Sequence, residues 1–420
     1  MQGSLNAVLE FGGLFLCASV VALLLPDAYL IFVHLRRSES ELRREQEAPR
    51  LRVWPQVCVQ LAVFNEPLHV EAAIDALCNL DWPQRQLEIL VLDDSTDETS
   101  TLANARILYW QEKGIRIEHI KRLVRTEFKA GALANAFERT KAPFIAVFDA
   151  DYRPPRSFLQ LTLGVLVAEP RVAFVQARLD FQNRERNGLT RAQALELDTF
   201  LAYEQAARNW AGIPMTFNGT CGVWRREAIR DAGGWSGRSL VEDQDLSFRA
   251  FAKGWGCRNL VTVAARGELP ETLSVLAGQR ARWGAGTAQA FYGLPWQLLR
   301  HLKWNQAIVF ILLAAFYATL SVLLVTILVI TLVTWLLEPA RGLVVAYGLL
   351  SVLTLLVAIK STGAVLATRV LQRPLGSCFI PDLIRMWLME AVLLPLVATS
   401  LLRGYLTRNL PFKRTPKTGH

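Results

Sequence analysis

Residues 57–94 read VCVQLAVFNEPLHVEAAIDALCNLDWPQRQLEILVLDD, and this stretch decides the fold. Val57, Val59, Leu61 and Val63 alternate with the period of a strand. Asn65 can cap a helix that runs to about Leu80. Leu87 to Leu92 is a second apolar strand, closed by Asp93-Asp94. The alternation continues outward. A helix is predicted through Trp110, a third strand over Ile115–Ile120, a helix over Lys129–Arg139 and a fourth strand over Phe144–Phe148, ending at Asp149. This repetition predicts an α/β domain over residues 53–268, built on a doubly wound, mostly parallel sheet. Ligands of such sheets bind beyond the carboxyl ends of the strands. Two of these strands end in acidic pairs.

The remaining chain is greasy in blocks. Of 420 residues, 52% are hydrophobic and 20% charged, which excludes a disordered chain. The six cysteines form no C-x-x-C pair, so neither a disulfide scaffold nor a structural zinc site is expected. Trp304 to Leu337 carries no charged residue, and Gly342 to Ile359 repeats the pattern, with apolar character continuing past Lys360. Both runs are long enough to cross a bilayer, so transmembrane helices are expected at 304–337 and 342–370, joined by Glu338-Pro339-Ala340-Arg341. Phe11 to Val33 is a third apolar run. No basic residue precedes it, and Arg36, Arg37, Arg43 and Arg44 follow it. An uncleaved anchor is therefore expected over 1–35, then a basic linker over 36–52 and a cytosolic domain. Residues 269–303 are expected to form interface helices. Phe379 to Leu402 contains Asp382, Arg385 and Glu390. An amphipathic helix in the inner interface is expected at 377–405, with a fourth span as its rival. The purely basic tail, 406–420, belongs in the cytosol. An integral membrane protein with its main domain cytosolic follows, and the lipid bilayer is a partner.

The net charge of +9 sits mainly beside these apolar runs, so no nucleic-acid partner is expected. There is no G-x-x-x-x-G-K-[ST] and no G-x-G-x-x-G after a strand. ATP-driven transport and nicotinamide chemistry thereby lose their main support.

Four acidic or basic motifs remain. Asp149-Ala150-Asp151 ends a strand, and residues i and i+2 share a face, so both carboxylates can meet one divalent cation; a solvated turn is the alternative. Asp94 can accept hydrogen bonds from a ribose or base, or belong to a helix cap built by Ser95 or Asp97. Glu242, Asp243 and Asp245 open a helix, where one could act as general base or all could serve the helix dipole. Gln279-Arg280-Ala281-Arg282-Trp283 places a bidentate guanidinium beside a stacking ring, or anchors a helix among lipid headgroups.

Taken in order, these motifs resemble the processive, membrane-embedded family 2 glycosyltransferases. The resemblance runs from Gln56 to Gly419 and includes RTEFKAGA (125–132), FDADYRP (148–154), QARLDF (176–181), FNGTCGVWR (217–225), the stretch 233–246, QRARW (279–283) and FKRTPKTG (412–419). In wording it is most similar to the cellulose-synthase-like mannan and glucomannan synthases. The resemblance implies a Rossmann-like GT-A domain and a nucleotide-sugar donor of the UDP-glucose or GDP-mannose type. It also implies a divalent metal, Mg2+ or Mn2+. It implies that Asp94 holds the nucleoside, that Lys129 approaches the diphosphate, and that Asp149 and Asp151 handle donor and metal. Asp243 becomes the base, with Glu242 beside it. Phe217, Asn218, Gly219 and Thr220 line the acceptor site. Gln279, Arg282 and Trp283 close over diphosphate and acceptor. Phe412, Thr415 and Lys417 belong to a gating loop. Extension of a β-linked polysaccharide is the expected reaction. Transfer of a single sugar to a membrane lipid is the alternative within enzymes, and a non-catalytic glycan-binding or scaffold subunit is the alternative outside them.

Overall fold

The computed structural model describes residues 2–47, 51–294, 296–314 and 339–407, with isolated positions at 332, 335, 336, 410 and 415. The expected span 304–337 lies mostly outside the described residues, as do Phe412 and Lys417.

The sheet has seven strands: β1 (Val57–Val63), β2 (Leu87–Asp93), β3 (Ile117–Lys121), β4 (Phe144–Asp149), β5 (Val172–Phe181), β6 (Gly222–Arg225) and β7 (Gly256–Gly267). Their order is β3-β2-β1-β4-β6-β5-β7. All neighbours are parallel except β6, which runs antiparallel to both β4 and β5. The period of two sorts the strand side chains. Val57, Val59, Leu61, Ile89, Val91, Ala146 and Phe148 enter one core, while Cys58, Leu90, Leu92, Ile145 and Val147 enter the other. Both faces are buried, as a parallel sheet requires. Each fully buried branched side chain contributes about 1.5–3 kcal/mol relative to exposure.

Helices cover the faces. On one side lie α2 (Val70–Cys78), α3 (Thr99–Glu112) and α5 (Phe158–Ala168). The other receives α4 (Phe128–Arg139), the C-terminal half of α1 (Gln2–Gln46) and α9 (Glu242–Ala252). Asn65 does not cap α2, which starts five residues later, after His69. Asn65 instead adopts φ 54° and ties two strand ends together. Its N–H donates to Ser95 Oγ at 2.9 Å, and its Oδ1 accepts from Thr96 N at 2.9 Å. A residue that joins β1 to β2 cannot also begin a helix.

Beyond the sheet, α6 (Gly188–Asp198) continues through a π-helical turn, Thr199–Gln205, into α7 (Ala206–Trp210); α8 (Arg226–Asp231) follows β6. Helix α10 (Leu273–Tyr292) carries QRARW. The later helices are α11 (Trp304–Ala314), α12 (Pro339–Val370) and α13 (Phe379–Leu406). The pair Asp27–Lys360, 3.0 Å apart, joins α1 to α12. Among the described residues, α13 is the one helix long and apolar enough to cross a membrane, by length and composition. Its inner face buries Met386, Met389, Leu393 and Gly404, and its outer face exposes Ile380, Ile384, Leu388 and Val392.

Candidate active site

The strand ends gather the acids. Asp93 and Asp94 close β2 but serve different ends. Asp93 is buried and accepts from Ser95 N at 2.8 Å, from the Ser100 hydroxyl at 2.5 Å and faces His119 Nε2 at 2.9 Å. Burial pushes its carboxyl pKa up, but these partners outweigh it and hold the group at about 2. Asp93 is therefore a fixed structural anion. Asp94 meets Arg122 as a bidentate pair, Nε to Oδ1 at 2.9 Å and Nη2 to Oδ2 at 2.5 Å. Arg125 stands 3.6 Å from the same carboxylate and lies over the Phe64 ring, 3.4 Å from its centroid. Arg122 had no signature in the sequence: it sits in the loop after β3, outside any periodic segment. At the start of α3 the Asp97 carboxylate accepts the Thr99 N–H at 3.0 Å, as the capping alternative expected, while Asp94 itself is held by Arg122.

Lys129 stands in the first turn of α4, after two residues in the left-handed region, Glu127 and Phe128. Its ammonium donates to Asp149 Oδ1 at 2.5 Å and to the Gly219 carbonyl at 2.8 Å, and reaches Glu242 Oε1 at 3.9 Å. Burial pulls its pKa down, but Asp149, Glu242 and Asp243 overcome this and raise it. One cation thus joins the end of β4, the loop before β6 and the start of α9.

Asp149 is further fixed by its backbone N–H, which donates to Thr220 Oγ1 at 2.9 Å. Asp151 is buried, in a turn whose Ala150 carbonyl accepts from Arg153 Nη1 at 2.7 Å. Among the described residues no group of three or more His, Cys, Asp or Glu is arranged to hold a metal by itself. Two carboxylates suit a cation that keeps several waters and takes further oxygens from a phosphate. The donor set fits Mg2+ or Mn2+ on those terms.

Asp243 lies in the first turn of α9. A side chain at Gly219 would put its Cβ 3.2 Å from Asp243 Oδ2, and Gly219 adopts φ 77°, so glycine is needed there twice over. Burial, and then the neighbouring Glu242, push the Asp243 carboxyl up to about 7, against the pull of Lys129. Asn218 and Gly219 are half-buried at this cleft. Phe217 differs from its expected place beside an acceptor. It is fully buried, 5.7 Å from the Phe174 ring and 5.5 Å from the Trp224 ring. An apolar ring beside a turn lowers its free energy most by joining the core.

Helix α10 delivers Arg282 to the same acids. Burial lowers its guanidinium pKa, and Glu242, Asp149 and Asp243 are the groups acting in the opposite direction. Gln279 lies one turn earlier, half-buried. Trp283 is half-buried against the main core, under the Arg280 guanidinium at 4.8 Å. Gln289 of the same helix donates to the Thr407 carbonyl at 3.1 Å, so the chain leaves for its tail from beside α10. Thr415 is an isolated half-buried position.

Residues 144–337 match the model of Glycosyl transferase family group 2. That match covers a little under half of the chain. It is 40% identical over 260 residues to probable glucomannan 4-beta-mannosyltransferase 11 of Oryza sativa subsp. japonica, covering 60% of this chain and 46% of that one. It is 37% identical over 250 residues to glucomannan 4-beta-mannosyltransferase 9 of Arabidopsis thaliana, covering 59% and 47%. The chain spans about half the length of the curated relatives it matches. A mannosyltransferase from Pyrobaculum calidifontis, solved with GDP-Man and Mn2+, superposes with a TM-score of 0.57 at 19% identity, over 90% of this chain and 99% of that one. The chain therefore has the GT-A type of fold expected from the motifs.

Proposed function

We propose that this chain is an inverting hexosyltransferase. It takes a nucleoside-diphosphate sugar of the GDP-mannose or UDP-glucose type, uses Mg2+ or Mn2+, and extends a β-linked glucan- or mannan-like glycan at the inner membrane leaflet. One observation carries the reading: the Lys129 ammonium ties Asp149, the Gly219 carbonyl and Glu242 into a single cluster beside Asp243. The names of the relatives, 4-beta-mannosyltransferases, support the product class. The GDP-Man and Mn2+ bound by the fold neighbour support the donor and metal.

The chemistry is a single displacement. The acceptor hydroxyl oxygen bonds to the anomeric carbon as the bond from that carbon to the phosphate oxygen breaks. The hydroxyl proton passes to the Asp243 carboxylate, and the nucleoside diphosphate leaves with the electron pair. A carboxylate held near pH 7 is a suitable acceptor for that proton. Lys129 and Arg282 neutralise the charge that gathers on the diphosphate. Asp149 and Asp151 would hold a divalent cation, which would supply further positive charge for the leaving diphosphate. Asp94, oriented by Arg122, receives the nucleoside, and Asn218 and Gly219 face the acceptor. The exposed apolar stripe of α13 rests in the interface, and Phe412, Thr415 and Lys417 serve as a gate on the cytosolic side.

The test is purified protein in nanodiscs, given a panel of radiolabelled nucleotide sugars, with the product digested by linkage-specific glycanases. A labelled polymer cut by a β-mannanase or β-glucanase is expected. A chloroform-soluble product would replace the glycan acceptor by a lipid. No nucleoside diphosphate release with any donor would overturn the enzyme reading.

A further inference from the structure

We infer that two buried glutamines, Gln176 and Gln205, are positioning residues that set the acceptor loop from behind; the inference rests on the function proposed above. The loop, residues 216–221, lies between α7 and β6, and it bends through two left-handed residues, Gly219 and Cys221. A chain bent this way has few ladder partners for its backbone groups, and buried groups of that kind must be paired.

The glutamines supply the pairing. Gln176 Oε1 accepts the Asn218 N–H at 2.9 Å. Gln176 Nε2 donates to the carbonyls of Thr220 at 3.0 Å, Cys221 at 3.2 Å and Ala177 at 2.7 Å. Gln205 and Asn218 exchange two amide bonds, at 2.9 and 3.0 Å, and Gln205 Nε2 also reaches the Thr216 carbonyl at 3.2 Å. Both glutamines are wholly shielded from solvent. A buried amide is costly unless it is bonded; nearly all the bonding of these two goes to one loop.

That loop presents the Gly219 carbonyl to Lys129 and leaves the gap in front of Asp243. Gln176 sits in the QARLDF stretch of β5, and Gln205 ends the π-helical turn, so the loop is held by two elements outside it. Donor and metal groups stand on β2, α4, β4 and α10, and the loop meets two of them at its edge, Lys129 through the Gly219 carbonyl and Asp149 through Thr220 Oγ1. Loosening the loop should therefore weaken acceptor use far more than donor binding.

The experiment uses the full chain in nanodiscs, with GDP-[14C]mannose, Mn2+ and mannotetraose as probes. Gln176→Met and Gln205→Leu each remove the amide while keeping bulk. Both are expected to raise the mannotetraose KM, or to lower the ratio of transfer to donor hydrolysis, about tenfold or more. GDP-mannose affinity measured without acceptor should stay within about twofold. Gln176→Glu adds a signature. Its protonated carboxyl can accept the Asn218 N–H and donate one hydrogen bond where the amide donates two, whereas its ionised form would face three carbonyls with no donor. Relative to wild type at the same pH, it should be nearer normal at pH 5.5 than at pH 8. The ionisable groups against the loop, Lys129, Asp149, Asp243 and Cys221, are common to both proteins. Unchanged acceptor KM and partition in both amide-free variants, beside a normal wild type, overturn this inference alone. Donor affinity falling in step with acceptor use overturns it too. A wild type that binds GDP-mannose but transfers no sugar overturns the transferase reading and this inference together.

Discussion

Lys129 and Asp149 meet at 2.5 Å, so the ammonium of α4 and the last carboxylate of β4 behave as one charge pair at the mouth of the cleft. The pair is open to a wider set, because the same ammonium lowers the proton affinity of Asp243. Replacing Lys129 by Met removes the cation and leaves Asp149, Glu242 and Asp243 facing one another. The Asp243 pKa then rises, since a lost positive neighbour favours the protonated acid. The acid limb of the kcat/KM profile should move above its position near pH 7, and transfer at pH 7 should fall by about 10²-fold or more. A pH–rate series on Lys129→Met checks both. A limb that stays in place would remove Lys129 from the electrostatics of the base.

Asp243→Asn tests the proton acceptor directly. Asparagine keeps the shape but takes no proton. General-base catalysis contributes about 10²–10⁴-fold, so turnover should fall by that amount while nucleotide affinity stays near normal. In the unmodified protein the rate should climb as pH rises through about 7, because only the ionised form of the proposed base can take the proton. Steady-state rates from pH 5.5 to 8.5, with calorimetric nucleotide titrations, read out both. Near-normal transfer by Asp243→Asn would assign the base elsewhere.

The parallel strands were legible because β1, β2 and β4 are buried on both faces and so are written almost wholly in apolar residues. Their acidic ends were legible for the same reason: a carboxylate after such a run has few places to go but the sheet's edge. The antiparallel β6 was not read, since Gly222–Arg225 is four residues long and carries no alternation of its own. Spacing also said nothing of distance in space. Lys129, Gly219 and Glu242 are remote in the chain, and only the crossing of β4, the loop before β6 and α9 brings them to one ammonium. Arg122, Gln176 and Gln205 escaped because their partners are main-chain atoms or a carboxylate on another element, which no local pattern encodes. Phe217 was placed beside an acceptor by its motif, which says nothing of the core formed by Phe174 and Trp224 into which its ring turns.

The Asp149-Ala150-Asp151 turn leads to a metal experiment. Asp149→Ala should remove a carboxylate from the cleft, and Asp151→Ala one from the buried turn behind it. Each should weaken the gain in nucleoside-diphosphate affinity that Mn2+ or Mg2+ confers, by about tenfold or more, with the metal-independent affinity little changed. Titrating nucleotide with and without metal measures the difference. An intact metal response in both variants would exclude the pair as the cation's seat.

The placement of Arg282 and Trp283 depends on a helix contact that can be broken at one position. Gly404 of α13 faces α10 so closely that a Cβ there would lie 2.2 Å from the Ala285 carbonyl and 2.8 Å from the Ala288 Cβ. Backbone cannot yield by that much without the helices moving apart. Gly404→Val should therefore cost about 1–3 kcal/mol of stability, the usual range for overpacking. It should also weaken donor affinity, because α10 carries the guanidinium that shares the acids' field. Gly278→Ala on α10 is the control. A Cβ there meets nothing within 4 Å. Alanine favours a helix interior by about 0.8–1.0 kcal/mol over glycine, so this variant should melt at the same temperature or slightly higher with donor affinity unchanged. Thermal unfolding in detergent and nucleotide titration on the two variants decide the matter: equal behaviour would mean that α10 holds its place without α13.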